Sequence, residues 1–403
     1  MFDLATSDVG RSNRIYSEDE ILVIQNAMRD AQQPLDLELV ARCKVALAPH
    51  RKLPGDILRC IFAFHAQESI YLPFLIKRDM LRTAVVLTHV CSLWRCIALS
   101  SPELWNDISL RMNNLDCTFL PCALELLSRA RDLPINLRLT VRFHRCHSGD
   151  HDFNFSNAVY QLTSNRNIQK LQLTIQSSSR LEISPGDVFA IGTFDHVRVL
   201  EVWLFEAHLY PIFSQGSLPN LEAFSCYTDS PKMNLKSSAG VPWSRLRRLH
   251  LLGYKQDMTT TLGLLSQCML IEECSLGMTV SGSIVGPKVT LHNLRDLQFG
   301  FLLEQDLDVL DTFFSLLSFP NLQSLVVLEE FRTSSYTSQV MSPLARNLKF
   351  MAPQLHDLRF REPIDEGKAS ILQKHMPSLH ISRWTSSRKN TYQPLLQTKS
   401  IHW

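Results

Sequence analysis

A six-residue pattern recurs along the C-terminal two-thirds of the chain and constrains its fold more than any other feature. The pattern is apolar-x-x-apolar-x-apolar. Its central residues are Leu171, Leu200, Phe224, Leu249, Cys274, Leu297, Leu325 and Leu358, separated by 29, 24, 25, 25, 23, 28 and 33 positions. A period of about 20 to 50 residues indicates repeated supersecondary units, whose apolar faces are buried only when neighbouring units stack.

Each repeat is predicted to be a helix, a turn and a strand. Proline stands two residues before the leucine that opens a strand at Pro219, Pro320, Pro353 and Pro377. There it ends a helix without removing a hydrogen bond from the sheet. The units are similar to leucine-rich repeats, which implies an α/β solenoid with concave strands and convex helices. They lack the asparagine that usually follows the third apolar position, so we expect irregular curvature.

A second apolar region lies closer to the N-terminus, between residues 51 and 111. Its first predicted helix carries four apolar residues on one stripe, namely Ile57, Leu58, Ile61 and Phe62, behind Leu53 and Pro54. Its second predicted helix carries Val90, Cys91, Trp94, Arg95 and Ala98, and Pro102 ends it. These apolar residues are too many for so small a unit to bury alone, which indicates a partner.

The order of these residues resembles the F-box motif, in the form common among mushroom-forming fungi. The matching elements are LP at 53–54, IL at 57–58, IF at 61–62, VC at 90–91, WR at 94–95 and SPELW at 101–105. The resemblance covers about a seventh of the chain. Asp56 replaces the family's glutamate, and the segment between Phe62 and Val90 is several residues longer than usual. We expect a longer loop or an extra helical turn there.

The resemblance implies docking onto the small adaptor subunit of an SCF-type cullin-RING ubiquitin ligase. The implied contact residues are Leu53, Pro54, Ile57, Leu58, Ile61, Phe62, Val90, Cys91 and Trp94, with Arg95 at the rim. The repeats would then hold a protein substrate for a separate ubiquitin-conjugating enzyme. The assembly would promote ubiquitin transfer by holding the substrate close to the conjugating enzyme, so the chain itself would not be an enzyme.

Candidate substrate contacts come from strand residues that alternate with the apolar pattern. They are Trp203, Phe205, Tyr227, His250 and Gln298. Alternation places such residues on the opposite face of the sheet from the core. Aromatic residues there supply binding energy, although Trp203 or Phe205 could instead pack under a neighbouring loop.

The chain is therefore expected to have five segments. They are a disordered N-terminus (1–16), a helical lead-in interrupted at Pro34 (17–50), the F-box (51–111), a leucine-rich-repeat-like solenoid (112–384) and a tail or cap (385–403). The hydrophobic content of 45% is typical of a folded protein. Disorder is therefore not the default for this chain.

Net charge and cysteine content limit the classes of binding partner and the cellular compartment that the sequence predicts. The net charge of +2 predicts neither a nucleic-acid nor a membrane partner. The ten cysteines include no C-x-x-C pair, and four of them (Cys60, Cys91, Cys226 and Cys274) occupy positions expected to be apolar. We expect small buried thiols in a reducing compartment. With no secretory pattern in the first residues, a cytoplasmic or nuclear location is predicted.

Chemical motifs are scarce. No P-loop, G-x-S-x-G, G-x-G-x-x-G or H-E-x-x-H string occurs, so no cofactor is expected. One cluster in FHRCHSGDHDF carries zinc-ligand atom types, at His144, Cys146, His147, Asp150, His151 and Asp152. It has no second ligand pair at a distance, which favours a solvated loop. Two alternatives stay open: a repeat scaffold that joins no ligase, and an enzyme with dispersed catalytic residues.

Overall fold

The computed structural model of the chain describes residues 16–31, 37–48, 53–65, 69–72, 83–113, 119–143, 155–177, 194–205, 218–228, 240–280, 283–303, 308–329, 337–360 and 366–383. Residues 1–15 of the predicted disordered N-terminus (1–16), the segment 144–154 with the candidate zinc ligands, and the predicted tail or cap (385–403) lie outside these residues.

The described residues form an α/β protein. Its helices are α1 (Glu18–Asp30), α2 (Leu37–Ala46), α3 (Gly55–His65), α4 (Thr83–Val90), α5 (Ser92–Ser100), α6 (Leu120–Arg129), α7 (Phe155–Thr163), α8 (Met258–Leu265), α9 (Asp308–Ser315), α10 (Thr337–Met351) and α11 (Glu366–His375). Its strands are β1 (Ile70–Leu72), β2 (Asp107–Asn113), β3 (Ile135–Phe143), β4 (Ile168–Ser177), β5 (Val199–Phe205), β6 (Ala223–Thr228), β7 (Arg248–Asp257), β8 (Glu273–Val280), β9 (Val289–Thr290), β10 (Asp296–Leu303), β11 (Leu317–Ser318), β12 (Ser324–Glu329), β13 (Asp357–Phe360) and β14 (His380–Arg383).

Twelve strands form the main sheet, which is not closed. Their order is β1-β2-β3-β4-β5-β6-β7-β8-β10-β12-β13-β14, so neighbours in the sheet follow one another along the chain. The pairings described between these strands are parallel. Strands β9 and β11 form a separate parallel pair. Parallel neighbours require a crossover in every connection, which agrees with the repeat length predicted from the sequence.

The eight predicted central residues form one continuous row across the sheet. Each pairs in register with the next, from Leu171 opposite Leu200 to Leu325 opposite Leu358. All eight are buried. The third apolar residues of the pattern make a second buried row, from Leu173 to Phe360. The strands predicted from the repeat are therefore confirmed, and these rows form the core beneath the sheet.

The turns before the strands are joined by hydrogen bonds between successive units. Asn220 Nδ2 donates to the carbonyl of Asp195 at 2.7 Å, and Asn321 Nδ2 donates to that of His292 at 2.7 Å. Asn293 Nδ2 makes the same bond to Met269 at 3.3 Å. Asparagine is thus used in the turn before the strand, while the position after the third apolar residue lacks it. These bonds satisfy turn carbonyls that the sheet does not reach.

The connection between β8 and β10 differs from the predicted helix-turn-strand unit. Residues 283–295 contain the short strand β9 and no helix. The segment contains Gly286, Pro287 and the β-branched pair Val289-Thr290. Glycine and proline are the poorest helix formers, and β-branched residues favour strands. The composition of this connection therefore explains the exception.

The chain divides into two compact units. One comprises residues 1–111 and 118–137, and the other comprises residues 112–117 and 138–403. In the first unit, α1 and α2 are the two short helices predicted on either side of Pro34, and they share a small core of Ile24, Cys43 and Ala46. Ser17 and Glu20 form a capping box at the start of α1. None of the helices in the described ranges is long and apolar enough to span a bilayer.

Candidate functional site

The apolar residues of α3 differ in their solvent exposure, although the sequence pattern places all of them on one stripe. Leu58 and Phe62 are buried, whereas Ile57 and Ile61 are 45% and 38% exposed. Phe64, which the motif comparison did not include, is 73% exposed. Ile57, Ile61 and Phe64 are spaced by four and three positions, so they lie on one side of the helix. That side is apolar and faces solvent.

The second predicted helix is two helices in the structure, so the prediction of one helix from Val90 to Ala98 is wrong. Val90 is the last residue of α4, and Ala98 lies in α5. Between them Cys91 has extended backbone angles (φ −160°, ψ 167°) and caps α5. Its Sγ accepts a hydrogen bond from the backbone N–H of Trp94 at 3.4 Å. The break therefore has a local cause, because a side chain that caps a helix start competes with continuing the preceding helix.

Arg95 connects the two helices on either side of the break. Its Nε donates to the carbonyl of Thr88 at 2.7 Å, in the last turn of α4. A cation at the C-terminus of a helix satisfies an orphan carbonyl and interacts favourably with the helix dipole. Arg95 was predicted to contact a partner at the rim. Its position gives it a role in holding α4 against α5.

Trp105 stabilises the C-terminal end of α5. Its indole Nε1 donates to the carbonyl of Ala98 at 2.8 Å, and the ring is buried. The guanidinium of Arg129 lies 5.0 Å from the centre of the indole, within the range of a cation–π contact. The tryptophan of the SPELW sequence therefore belongs to the core of this unit.

The ten predicted docking residues fall into three groups by exposure. Pro54, Ile57, Ile61, Val90 and Arg95 are exposed, Leu53, Cys91 and Trp94 are half-buried, and Leu58 and Phe62 are buried. We call the exposed apolar set Pro54, Ile57, Ile61, Phe64 and Val90 the helical face. Phe64 could have been found from the sequence, because it continues the stripe of Ile57 and Ile61 beyond the end of the motif.

The chain was also compared with known proteins. No protein-family model and no curated protein matches it. Its candidate sites therefore depend on the residues and contacts described here.

A second candidate surface lies on the outer face of the main sheet, opposite the buried rows. Trp203, Phe205 and Tyr227 form an aromatic cluster on β5 and β6. The indole centre of Trp203 is 5.2 Å from the ring centre of Tyr227 and 6.5 Å from that of Phe205. The Phe205 and Tyr227 rings are 5.8 Å apart. Trp203 is only 7% exposed, so Phe205 and Tyr227, both half-buried, supply the accessible aromatic surface.

His250 and Gln298 form a separate group on the same face. Both stand in register with Ser275 of β8, one on either side. His250 Nδ1 is 3.0 Å from Ser275 Oγ, and its Nε2 is 3.6 Å from a carboxylate oxygen of Glu273. The predicted alternation therefore brings all five candidate substrate residues to one face, as an aromatic group and a polar group.

The sequence predicts small buried thiols and no metal site. Cys226 and Cys274 are buried as expected, whereas Cys60 is exposed and Cys91 is half-buried. Burial raises the pKa of the Cys268 thiol to about 12 and also holds the pKa of the Cys274 thiol well above its usual range. These thiols are therefore neutral and unreactive. In the described part of the chain, no three His, Cys, Asp or Glu residues are grouped to hold a metal ion.

Proposed function

We propose that this chain is a substrate-recognition adaptor of an SCF-type cullin-RING ubiquitin ligase. In this proposal α3 to α5 form the F-box and dock onto the adaptor subunit of the ligase. The strands from β4 onward form an irregular leucine-rich-repeat solenoid that binds a protein substrate in the cytoplasm or nucleus. The chain brings substrate and conjugating enzyme together and has no catalytic residues of its own.

The helical face is the observation that carries this proposal. Ile57, Ile61, Phe64 and Val90 are large apolar residues with between about a third and three-quarters of their surface in water. Single exposed apolar residues are ordinary, but Ile57, Ile61 and Phe64 lie on one side of the short helix α3, and Val90 is exposed at the end of α4. Such a set favours a protein partner. The order of residues around this stripe supports the F-box as the identity of the unit.

The buried motif residues support docking indirectly. Leu58 and Phe62 fix α3 from inside the unit, and Trp94 packs against Phe62. They hold the exposed residues of α3 in place and leave the contact itself to Ile57, Ile61 and their neighbours. A preorganised face loses less conformational entropy on binding than a flexible one.

The outer face of the sheet supports the second half of the proposal. Parallel strands in sequence order present a long row of side chains, and aromatic residues in such a row are frequent binding hot spots. Phe205 and Tyr227 supply accessible aromatic surface, and His250 and Gln298 add hydrogen-bonding groups. This combination suits a protein segment with both apolar and polar side chains.

Co-purification with the ligase subunits tests the proposal. The full chain is co-expressed with the adaptor subunit and the cullin, and we expect both to be recovered with it. The double variant Leu53→Ala with Pro54→Ala should lose both, while the circular dichroism of the sheet stays unchanged. Phe350→Ala, at an 80% exposed position on α10, is the matched control and should retain both. Undiminished recovery with the double variant contradicts the proposal.

The alternative is a repeat scaffold that binds a partner and joins no ligase. The observation that favours it is the break at Cys91, which places Val90 and Trp94 on different helices. If wild-type chain recovers neither ligase subunit under conditions in which it is folded, this alternative replaces the ligase proposal.

A further inference from the structure

A polar cleft lies beside the end of α7, and none of the residues of the two candidate surfaces described above lines it. It has a volume of about 270 Å³ and is formed by the end of α7 and the turns before β4 and β5. Polar groups from Tyr160, Ser164, Arg166, Asp195 and His196 line it. Pockets for drug-sized ligands and cofactors are about 300 to 1,000 Å³, so this cleft is suited to a single side chain or a small ion.

Arg166 is held in the cleft by one of its two terminal nitrogens. Its Nη1 donates to the carbonyl of Gln161 at 2.6 Å and to that of Ser164 at 3.2 Å. These carbonyls end α7, where backbone acceptors have no partner within the helix. Asn165, with φ at 57°, turns the chain so that the next residue can reach back to the helix end. The guanidinium is thereby fixed in position.

The other two guanidinium nitrogens of Arg166 differ from Nη1 in their hydrogen bonding. Within the described ranges, Nε and Nη2 of Arg166 donate no hydrogen bond, and no carboxylate forms an ion pair with the side chain. The residue is half-buried. Partial burial without a compensating anion lowers the pKa of Arg166 from its usual value. A desolvated cation without a carboxylate partner is stabilised when an anion binds.

We propose that this cleft binds an oxyanion, either a carboxylate or a phosphate group, through Nε and Nη2 of Arg166. Guanidinium groups bind both kinds of anion through parallel N–H···O bonds. Ser164 and Tyr160 add hydroxyl donors, and the exposed His196 adds a ring nitrogen. Asp195 stands at the exposed edge of the cleft and opposes the anion, so its charge limits the affinity.

The cleft becomes a substrate subsite if the proposed function is correct. The occupant would then be an acidic or phosphorylated side chain of the protein substrate. The binding of the anion itself does not depend on the ligase, since it is measured on the isolated chain. Loss of adaptor recovery and loss of anion binding are therefore separate results.

The test titrates the full chain with inorganic phosphate and with acetate at constant ionic strength. Binding is followed by ³¹P line broadening for phosphate and by ¹³C line broadening for labelled acetate. We expect millimolar binding of at least one anion. Binding of both identifies a general carboxylate and phosphate site, whereas binding of phosphate alone points to a phosphorylated side chain.

Three variants separate a binding role from a structural one. Arg166→Gln should weaken anion binding by about tenfold or more, as expected when a charged hydrogen bond is lost. Ser164→Asp should do the same while leaving Arg166 and its contacts with α7 in place. Asp195→Asn should strengthen binding severalfold. Lys349→Gln on α10, a change of one charge elsewhere, should have no effect.

Two results would overturn the assignment. One is the absence of phosphate and acetate binding at tens of millimolar in a folded chain. The other is binding that neither Arg166→Gln nor Ser164→Asp alters, which would show that Arg166 serves only to cap α7.

Discussion

The ring of Phe62 packs against the indole of Trp94, with ring centres 4.9 Å apart and planes inclined at 59°. This is a favourable tilted arrangement for two aromatic rings. It joins α3 to α5, and Phe62 is fully buried. Because α3 packs against α5 through Phe62, the side chains of Ile57 and Ile61 on the same helix can remain exposed to solvent.

Truncating a buried residue of α3 should destabilise this unit more than truncating an exposed one. We expect Phe62→Ala to lower the free energy of unfolding of this unit by about 3–5 kcal/mol, as for other buried aromatic residues. Ile61→Ala, at a half-exposed position, should cost about 1 kcal/mol or less. Urea unfolding followed by tryptophan fluorescence measures both. Equal losses from the two variants would contradict the exposure assigned to α3.

Trp105→Phe should destabilise the same unit moderately. The substitution removes the hydrogen bond to Ala98 and weakens the contact with Arg129. The Ala98 carbonyl keeps a second partner, the backbone N–H of Ser101 at 3.2 Å, so no orphan acceptor is left. The expected cost is therefore about 1 to 2 kcal/mol. Differential scanning calorimetry of the variant checks it, and an unchanged melting temperature would exclude this role for Trp105.

The turn asparagines should contribute to stability according to their hydrogen-bond length. Asn321→Ala removes a bond of 2.7 Å to His292 and should cost about 1 kcal/mol. Asn293→Ala removes a bond of 3.3 Å to Met269 and should cost less. Chemical unfolding of the single variants tests this order. The reverse order would mean that these bonds do not link the repeats as proposed.

Cys268 should make the protein sensitive to alkali. Burial raises the pKa of its thiol to about 12 in the folded state, against an ordinary value of 9.0. The neutral thiol is the form the folded state prefers, so this contribution to stability is complete below pH 9 and is lost as the pH rises from 9 towards 12. We expect Cys268→Ala to reduce the fall in the free energy of unfolding between pH 8 and pH 10.5. An identical fall in the variant would contradict this.

The thiols should also differ in their reactivity. Cys60, Cys96 and Cys122 are exposed, whereas Cys268 and Cys274 are buried with raised pKa values. Brief treatment of folded protein with iodoacetamide at pH 8 should modify the first three and spare the other two. Peptide mass spectrometry identifies the sites, and modification of Cys274 as fast as Cys60 would contradict the structure.

The repeat strands could be predicted because their signal is local and recurs. Alternation within a strand assigns each residue to a face, and a constant period sets which residues become neighbours. Leu249 and Cys274 are adjacent in the sheet for that reason. The helices α10 and α11 end at Met351 and His375, each two residues before a proline, as the sequence predicts.

The segment between α3 and α5 could not be predicted in the same way. Strand β1 exists because it pairs with β2, with Ile70 opposite Ile108, a partner distant along the chain. The break at Cys91 depends on a sulfur cap that propensity does not reveal. The sequence also does not indicate which apolar residues of α3 are exposed to solvent. All four of them fit one broad apolar stripe, namely Ile57, Leu58, Ile61 and Phe62. Packing against α5 decides which of them is buried.

The affinity of the purified chain for the purified adaptor subunit tests the central claim most directly. We expect tight binding by wild type and about a hundredfold weaker binding by Ile57→Asp with Ile61→Asp, since two apolar anchors are lost. Phe350→Asp, a similar change on α10, should bind like wild type. Equal affinities for wild type and the Ile57→Asp, Ile61→Asp variant, or no binding by folded wild type, would contradict the account.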